Sequence, residues 1–97
     1  MTRFHAVKKR IFGVLETYVP VVARVHGAHH PEFHEVSRLF AEIKAKTEAA
    51  GQERPELARE FAQLRQITDN YTVPGDVCES YAAVYAMLSE LDEAYHA

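Results

Sequence analysis

The sequence predicts an all-α fold, an antiparallel up-down-up-down four-helix bundle, on three observations. Apolar residues recur at steps of three and four along four separate stretches. Gly and Pro punctuate the chain between those stretches. No stretch alternates with the period of two that marks a half-buried strand. Helices of roughly 17 to 26 residues joined by connections of roughly 3 to 6 residues leave each helix antiparallel to its predecessor.

The first stripe is Phe4, Val7, Ile11, Val14, Tyr18, Val21 and Val25. Gly27 follows it, where a residue tolerant of positive φ ends a helix, and Pro31 suits the first turn of the next one, so residues 26–30 form a corner. Pro20 falls inside helix one and is expected to kink it, at a cost of about 3 kcal/mol unless packing compensates. Phe12 and Val19 widen this helix's apolar surface, either as a generous core contact or as a homodimer face. The second stripe is Phe33, Val36, Phe40, Ile43, Thr47 and Ala50, closed by Gly51 with Pro55 soon after. The third is Leu57, Phe61, Leu64, Thr68 and Tyr71, with Ile67 beside it. The breaker cluster TVPGD (72–76) separates it from Val77, Tyr81, Val84, Leu88, Leu91 and Tyr95.

A chain of 97 residues is expected to be one domain spanning 1–97, burying about two thirds of its unfolded surface. With 47% apolar and 26% charged residues and a net charge of -3, it lacks the basic field of a nucleic-acid binder. The longest apolar run, 81–88, falls far short of the roughly 20 residues that span a bilayer, and MTRFHAVKKR has no apolar signal core behind its charges. A single cysteine, Cys78, makes no internal disulfide and no four-cysteine zinc site. The expectation is a cytoplasmic protein with neither nucleic acid nor membrane as partner.

Six histidines are the residues with chemistry to offer. VARVHGAHHPEFHE (22–35) carries His26, His29, His30 and His34. A zinc or iron site could draw on these with Cys78, Asp76 or Glu79, but Gly27 and Pro31 interrupt any regular ligand spacing. The alternative is a polar corner in which His26 interacts with helix-end carbonyls and His29 or His30 caps helix two, with a pH-linked packing role as a third option. A second candidate set is His5, His96 and Glu93, two imidazoles and a carboxylate able to hold a divalent metal if they converge, or else solvent-exposed side chains near the termini. Tyr18, Tyr71, Tyr81, Tyr85 and Tyr95 read as core residues with hydroxyls at the rim, or as a radical or nitric-oxide route in a metal protein. Ser37, Ser80, Ser89 and Cys78 have no glycine-rich elbow or acid-base partner, so no enzymatic activity is expected from them.

The strings TRFH (2–5), VARVHG (22–27), HPEFHEVSRLFAEI (30–43), LRQITDNYTVPGDVC (64–78) and YAAVYAMLSELDEAYH (81–96) resemble the hemerythrin-like domain of the iron-sulfur cluster repair di-iron proteins. The 21-residue spacing from His5 to His26 also fits that family. The resemblance implies a stress-response scaffold in which histidines and two bridging glutamates hold two iron ions between four helices. It assigns His5 to the helix-one ligand. AAGQERPE (49–56) stands where the family supplies a histidine and a bridging glutamate, Glu53 and Arg54 replace an EH pair, and the segment expected after ELDEAYH does not follow. The implied protein is a shortened relative whose di-iron site is lost or reduced to weak metal binding. The alternative is a metal-free helical interaction module that dimerises through helix one and the shortened end, where interior apolar side chains are expected to be uncovered.

Overall fold

The protein's structure, a computed structural model, describes residues 3–97; Met1 and Thr2, the latter part of the TRFH string, lie outside the described residues. Four helices form, α1 (Arg3–His26), α2 (Glu32–Ala50), α3 (Ala58–Ile67) and α4 (Glu79–Tyr95), and the described residues contain no strand. They pack into a body of 38 × 23 × 18 Å. None of these helices is long and apolar enough to cross a membrane.

α1 packs most extensively on α4. Phe4 meets Tyr95 edge to face with ring centroids 5.6 Å apart, Arg10 pairs with Glu90, and His26 reaches Cys78. α2 lies against both α1 and α3: Phe12 stands edge-on to Phe40 at 5.7 Å, and Lys46 pairs with Glu60. Leu15, Phe33, Ile43, Leu57, Phe61, Leu64, Leu88 and Leu91 are wholly buried between the helices. Removing each from water contributes about 1.5–3 kcal/mol, the main force that holds helices of this length in place.

Helix one departs from its expected face. The buried residues are Phe4, Val7, Ile11, Leu15, Val19 and Val22, whereas Val14, Tyr18, Val21 and Val25 are exposed. The reason is a mismatch of periods. The row through Val14 and Val25 repeats every 3.5 residues, and such a row drifts by about 20° per heptad around a straight α-helix. From Phe4 to Val22 the buried row advances by the helix's own turn of about 3.6 residues. The two rows coincide as far as Ile11 and then part. Phe12 and Val19, the pair read as possible extra surface, belong to the core side. α1 continues through Pro20; Glu16, whose carbonyl loses its helical partner there, is exposed along with Pro20, so water can satisfy it.

Helix three is shorter than its stripe. It stops at Ile67 because Thr68 turns its hydroxyl back on the Leu64 carbonyl at 2.6 Å and accepts the Tyr71 N–H at 2.8 Å. Asp69, Asn70 and Tyr71 then take left-handed conformations, with φ of 51°, 56° and 62°. Asp and Asn tolerate that region better than other non-glycine residues, while Tyr71 does not and is held by its contacts instead. The connection to α4 consequently runs through 68–78, longer than the short link expected.

Pro31 stands at the N-cap of α2 and no side chain bonds there, so neither His29 nor His30 caps the helix. Gly51 ends it with φ 61°. Gly27 has a steric role at the corner: a Cβ there would lie 2.4 Å from the Ala23 carbonyl oxygen and 2.5 Å from His34 Nε2. His34 is exposed and can swing away, but the backbone oxygen cannot. Gly27→Ala is therefore expected to destabilise the fold by about 1–3 kcal/mol in urea unfolding; a change under about 0.5 kcal/mol would show that the corner relaxes freely.

Candidate functional site

Three places gather polar or uncovered side chains. The first is built on Asp92, which α4 places on its buried face between Leu88 and Tyr95. Arg65, near the end of α3, brings one guanidinium nitrogen to 2.7 Å and 2.8 Å from the two carboxylate oxygens. The Tyr71 hydroxyl donates to Oδ2 at 2.8 Å, which is what secures the left-handed turn. His96 Nδ1 lies 2.9 Å from Oδ1 and 2.9 Å from the Asp92 carbonyl oxygen. Two acceptors at one nitrogen assign its proton to Nδ1. Burial, and then the bond to Asp92, push the Tyr71 hydroxyl far above its ordinary pKa, so it remains a donor. A cleft of about 470 Å³ runs alongside, lined by Asn70, Ser89, Glu93 and His96 as well as the hub itself. His96 and Glu93 thus meet as expected on one helical face. A carboxylate behind an imidazole is the arrangement that orients a metal-binding histidine. His5 does not line this cleft; it is half-buried on α1 beside Phe4, ring centroids 5.9 Å apart.

The second place is the corner. His26 Nε2 lies 3.1 Å from Cys78 Sγ, and His30 is bracketed by Asp76 Oδ1 at 3.0 Å and Glu32 Oε2 at 3.2 Å. Both imidazoles stand edge-on to the buried Tyr81 ring, at 5.5 and 5.6 Å. Tyr81 in turn shares a 3.0 Å hydrogen bond with Tyr85. Burial and that bond raise the Tyr81 pKa far above its ordinary value. His26 and His30 therefore act as a polar lid over the Tyr81 ring, each held by its own partners. His29 is exposed on the turn and joins neither.

The third is the end where Phe4, Phe61 and Tyr95 pack together. The interior side chains expected to be uncovered there are covered. The Tyr95 hydroxyl donates to the Pro55 carbonyl at 2.7 Å and accepts the Leu57 N–H at 2.9 Å, while Arg54 lies 3.9 Å over its ring. Tyr95 thereby ties the 51–57 connection across the end. Among the described residues, no three His, Cys, Asp or Glu side chains converge in a way that would hold a metal. No protein-family model, curated protein or solved structure matches the chain.

The residues present do not fit the di-iron centre that the hemerythrin resemblance implies. Bridging two irons needs two inward carboxylates free to coordinate. Of the two buried ones, Asp92 is committed to Arg65, Tyr71 and His96, and Glu60 gives Oε2 to Lys46 Nζ at 2.6 Å, which leaves only its buried Oε1 without a hydrogen-bond partner, one oxygen where two bridging carboxylates are needed. Aromatic rings occupy the space near Tyr95.

Glu60 offers a pH test. Burial pushes its carboxyl up, but the bond from Lys46, a backbone bond and the nearby cations outweigh this and hold it below its ordinary value. A depressed folded-state pKa contributes stability above the unfolded value, and this is lost as pH falls through the folded one. Lys46→Met is expected to cost about 1–2 kcal/mol at neutral pH, modest because Lys46 is exposed to screening. Thermal melts should show the gap between wild type and variant closing as pH falls below the ordinary carboxylate range. A gap unchanged with pH would dissociate Glu60 from it.

Of these groups, sequence reasoning found His26, His30, Glu93 and His96 but missed Asp92, Arg65 and Glu60. The available signal was an acid within each apolar row: Asp92 beside Leu91, and Glu60 beside Phe61.

Proposed function

We propose that the chain is a hemerythrin-like helical bundle, related to the iron-sulfur cluster repair proteins, that serves as an interaction module through α1 and carries no di-iron chemistry. The observation that supports it best is the uncovered row Val14, Tyr18, Val21 and Val25, a heptad-spaced seam with no partner helix over it. The antiparallel bundle is supported by the order of contacts between α1 and α4, in which Phe4, Arg10 and His26 meet Tyr95, Glu90 and Cys78 in turn. The commitment of Asp92 and Glu60 to cationic partners argues against bridged iron.

The experiment is anaerobic loading with ferrous iron, air oxidation, desalting, then elemental analysis and a visible spectrum, with melts in the presence and absence of chelator. Iron well below one per chain and a melting point indifferent to chelator are expected. About two irons per chain with oxo-bridge absorption would overturn the reading. A second reading, one weakly held divalent metal at His96 Nε2 and Glu93, is favoured by the Asp92 contact to His96 Nδ1. It predicts a single equivalent lost in His96→Ala.

A further inference from the structure

Cys78 is the single cysteine of the sequence, and its sulfur is left over from the work of folding. The residue stands at the N-cap of α4 with an extended backbone, φ -82° and ψ 172°, yet Sγ makes no capping bond, and it is exposed rather than packed in the core. What the sulfur does have is a base. The sequence offers Cys78 no acid-base partner, but the fold brings His26 across from the end of α1 and sets its Nε2 3.1 Å from Sγ. This imidazole is held in place independently of the sulfur. Its own carbonyl accepts the N–H groups of His29 and His30 at 3.1 and 2.8 Å, and its ring stands at 90° to the buried Tyr81 ring with centroids 5.5 Å apart. His30 is engaged with Asp76 and Glu32, so His26 and Cys78 have each other. A nucleophile within hydrogen-bond reach of a base that other groups fix is the arrangement that activates a thiol, and the positive end of the α4 dipole lies beside it.

We propose that Cys78 and His26 form a thiol-imidazole pair that exchanges with low-molecular-weight disulfides, which makes Cys78 a site of reversible thiolation. In the exchange the Sγ–H proton passes to His26 Nε2 while Sγ attacks one sulfur of the incoming disulfide. A new bond forms between Sγ and that sulfur as the old sulfur-sulfur bond breaks. The electron pair leaves with the other sulfur as a thiolate, which takes the proton back from His26 Nε2. Cys78 is thereby oxidised to a mixed disulfide and the reagent is reduced to one free thiol. With no second cysteine in the sequence, no internal thiol resolves the product, so the adduct persists until an external thiol reverses it. Asp76 and Glu79 flank the sulfur in the sequence and are exposed, so a disulfide free of negative charge meets the least repulsion.

The probe is hydroxyethyl disulfide, which is neutral, with adduct formation on the full chain followed by intact mass after acid quenching. At about pH 7 the native chain is expected to form the adduct at least about tenfold faster than the same chain unfolded in urea, although unfolding removes all shielding of the sulfur. His26→Gln should lose that advantage, slowing the reaction by about tenfold, and Cys78→Ser should form no adduct. Circular dichroism establishes that each variant keeps its helices, and the comparison with the unfolded wild type depends on no variant at all. The effect of pH separates a base from a mere change of exposure. Asp76, Glu79, His30, His34 and Tyr81 are the other titratable groups of this corner, and because they are common to wild type and His26→Gln their influence cancels in the ratio of the two rates. At about pH 9.5, where a free thiol ionises unaided, the two rates should converge. A native chain no faster than the unfolded one overturns the proposal, as does a ratio to His26→Gln that stays the same at high pH. An adduct that dithiothreitol fails to remove would mark chemistry other than exchange and would overturn it as well.

Discussion

Asp92→Ala is expected to cost about 3–5 kcal/mol of folding stability, because it strips a buried carboxylate from three donors at once and leaves the Tyr71 hydroxyl without an acceptor. In a chain of this size each kcal/mol moves the melting point by about 4–8 °C, so the effect is large enough to unfold a marginal protein. Asp92→Asn should fall between wild type and Ala, since the amide keeps the shape and one oxygen acceptor but loses the charge that faces Arg65. The double variant with Arg65→Met separates a network from a sum of contacts. Removing both partners should cost less than the two single losses added together, as the first change already strands the second group. Additive losses, or a cost under about 1 kcal/mol for Asp92→Ala, would show that Arg65 and the 68–78 connection hold α4 without the carboxylate.

Tyr95→Phe should cost about 2–3 kcal/mol although it deletes one oxygen atom. The ring would still pack on Phe4 and Phe61, but the buried Leu57 N–H and Pro55 carbonyl would lose their partner. The loss should be local in origin, so amide exchange at Leu57 is expected to accelerate more than exchange in the middle of α4. Tyr95→Ala adds the loss of the ring and should reach about 3–5 kcal/mol. If Phe matches wild type in both unfolding and Leu57 exchange, the hydroxyl is dispensable and the end is closed by apolar packing alone.

These two residues mark the limits of pattern reading. Tyr95 was placed correctly in the fourth apolar row, since a ring at helical spacing belongs to the core. Its hydroxyl bonds, however, join it to a connection some forty residues earlier in the chain, and no local pattern encodes such a meeting. Asp92 was overlooked because an acid beside an apolar row ordinarily lies at the solvent edge; here Arg65 and Tyr71, brought from another helix and from a left-handed turn, make its burial tolerable. The corner histidines show the intermediate case. Their crowding around Gly27 and Pro31 is visible in the sequence, but their separate partners, Cys78 for His26 and Asp76 for His30, come from the far end of the α3–α4 connection.

By itself the sequence determined the four helices, their Gly and Pro boundaries at the corner and at the end of α2, and most of the buried rows, because helical periodicity and backbone stereochemistry act within a few residues. Only the tertiary structure decided which of two overlapping rows on α1 is buried, where α3 stops, and how Asp92 and Glu60 are neutralised. Each of those outcomes depends on the angle and distance at which distant segments meet: a drift of about 20° per heptad is invisible in a list of residues, yet it turns half of an apparent core face out to water.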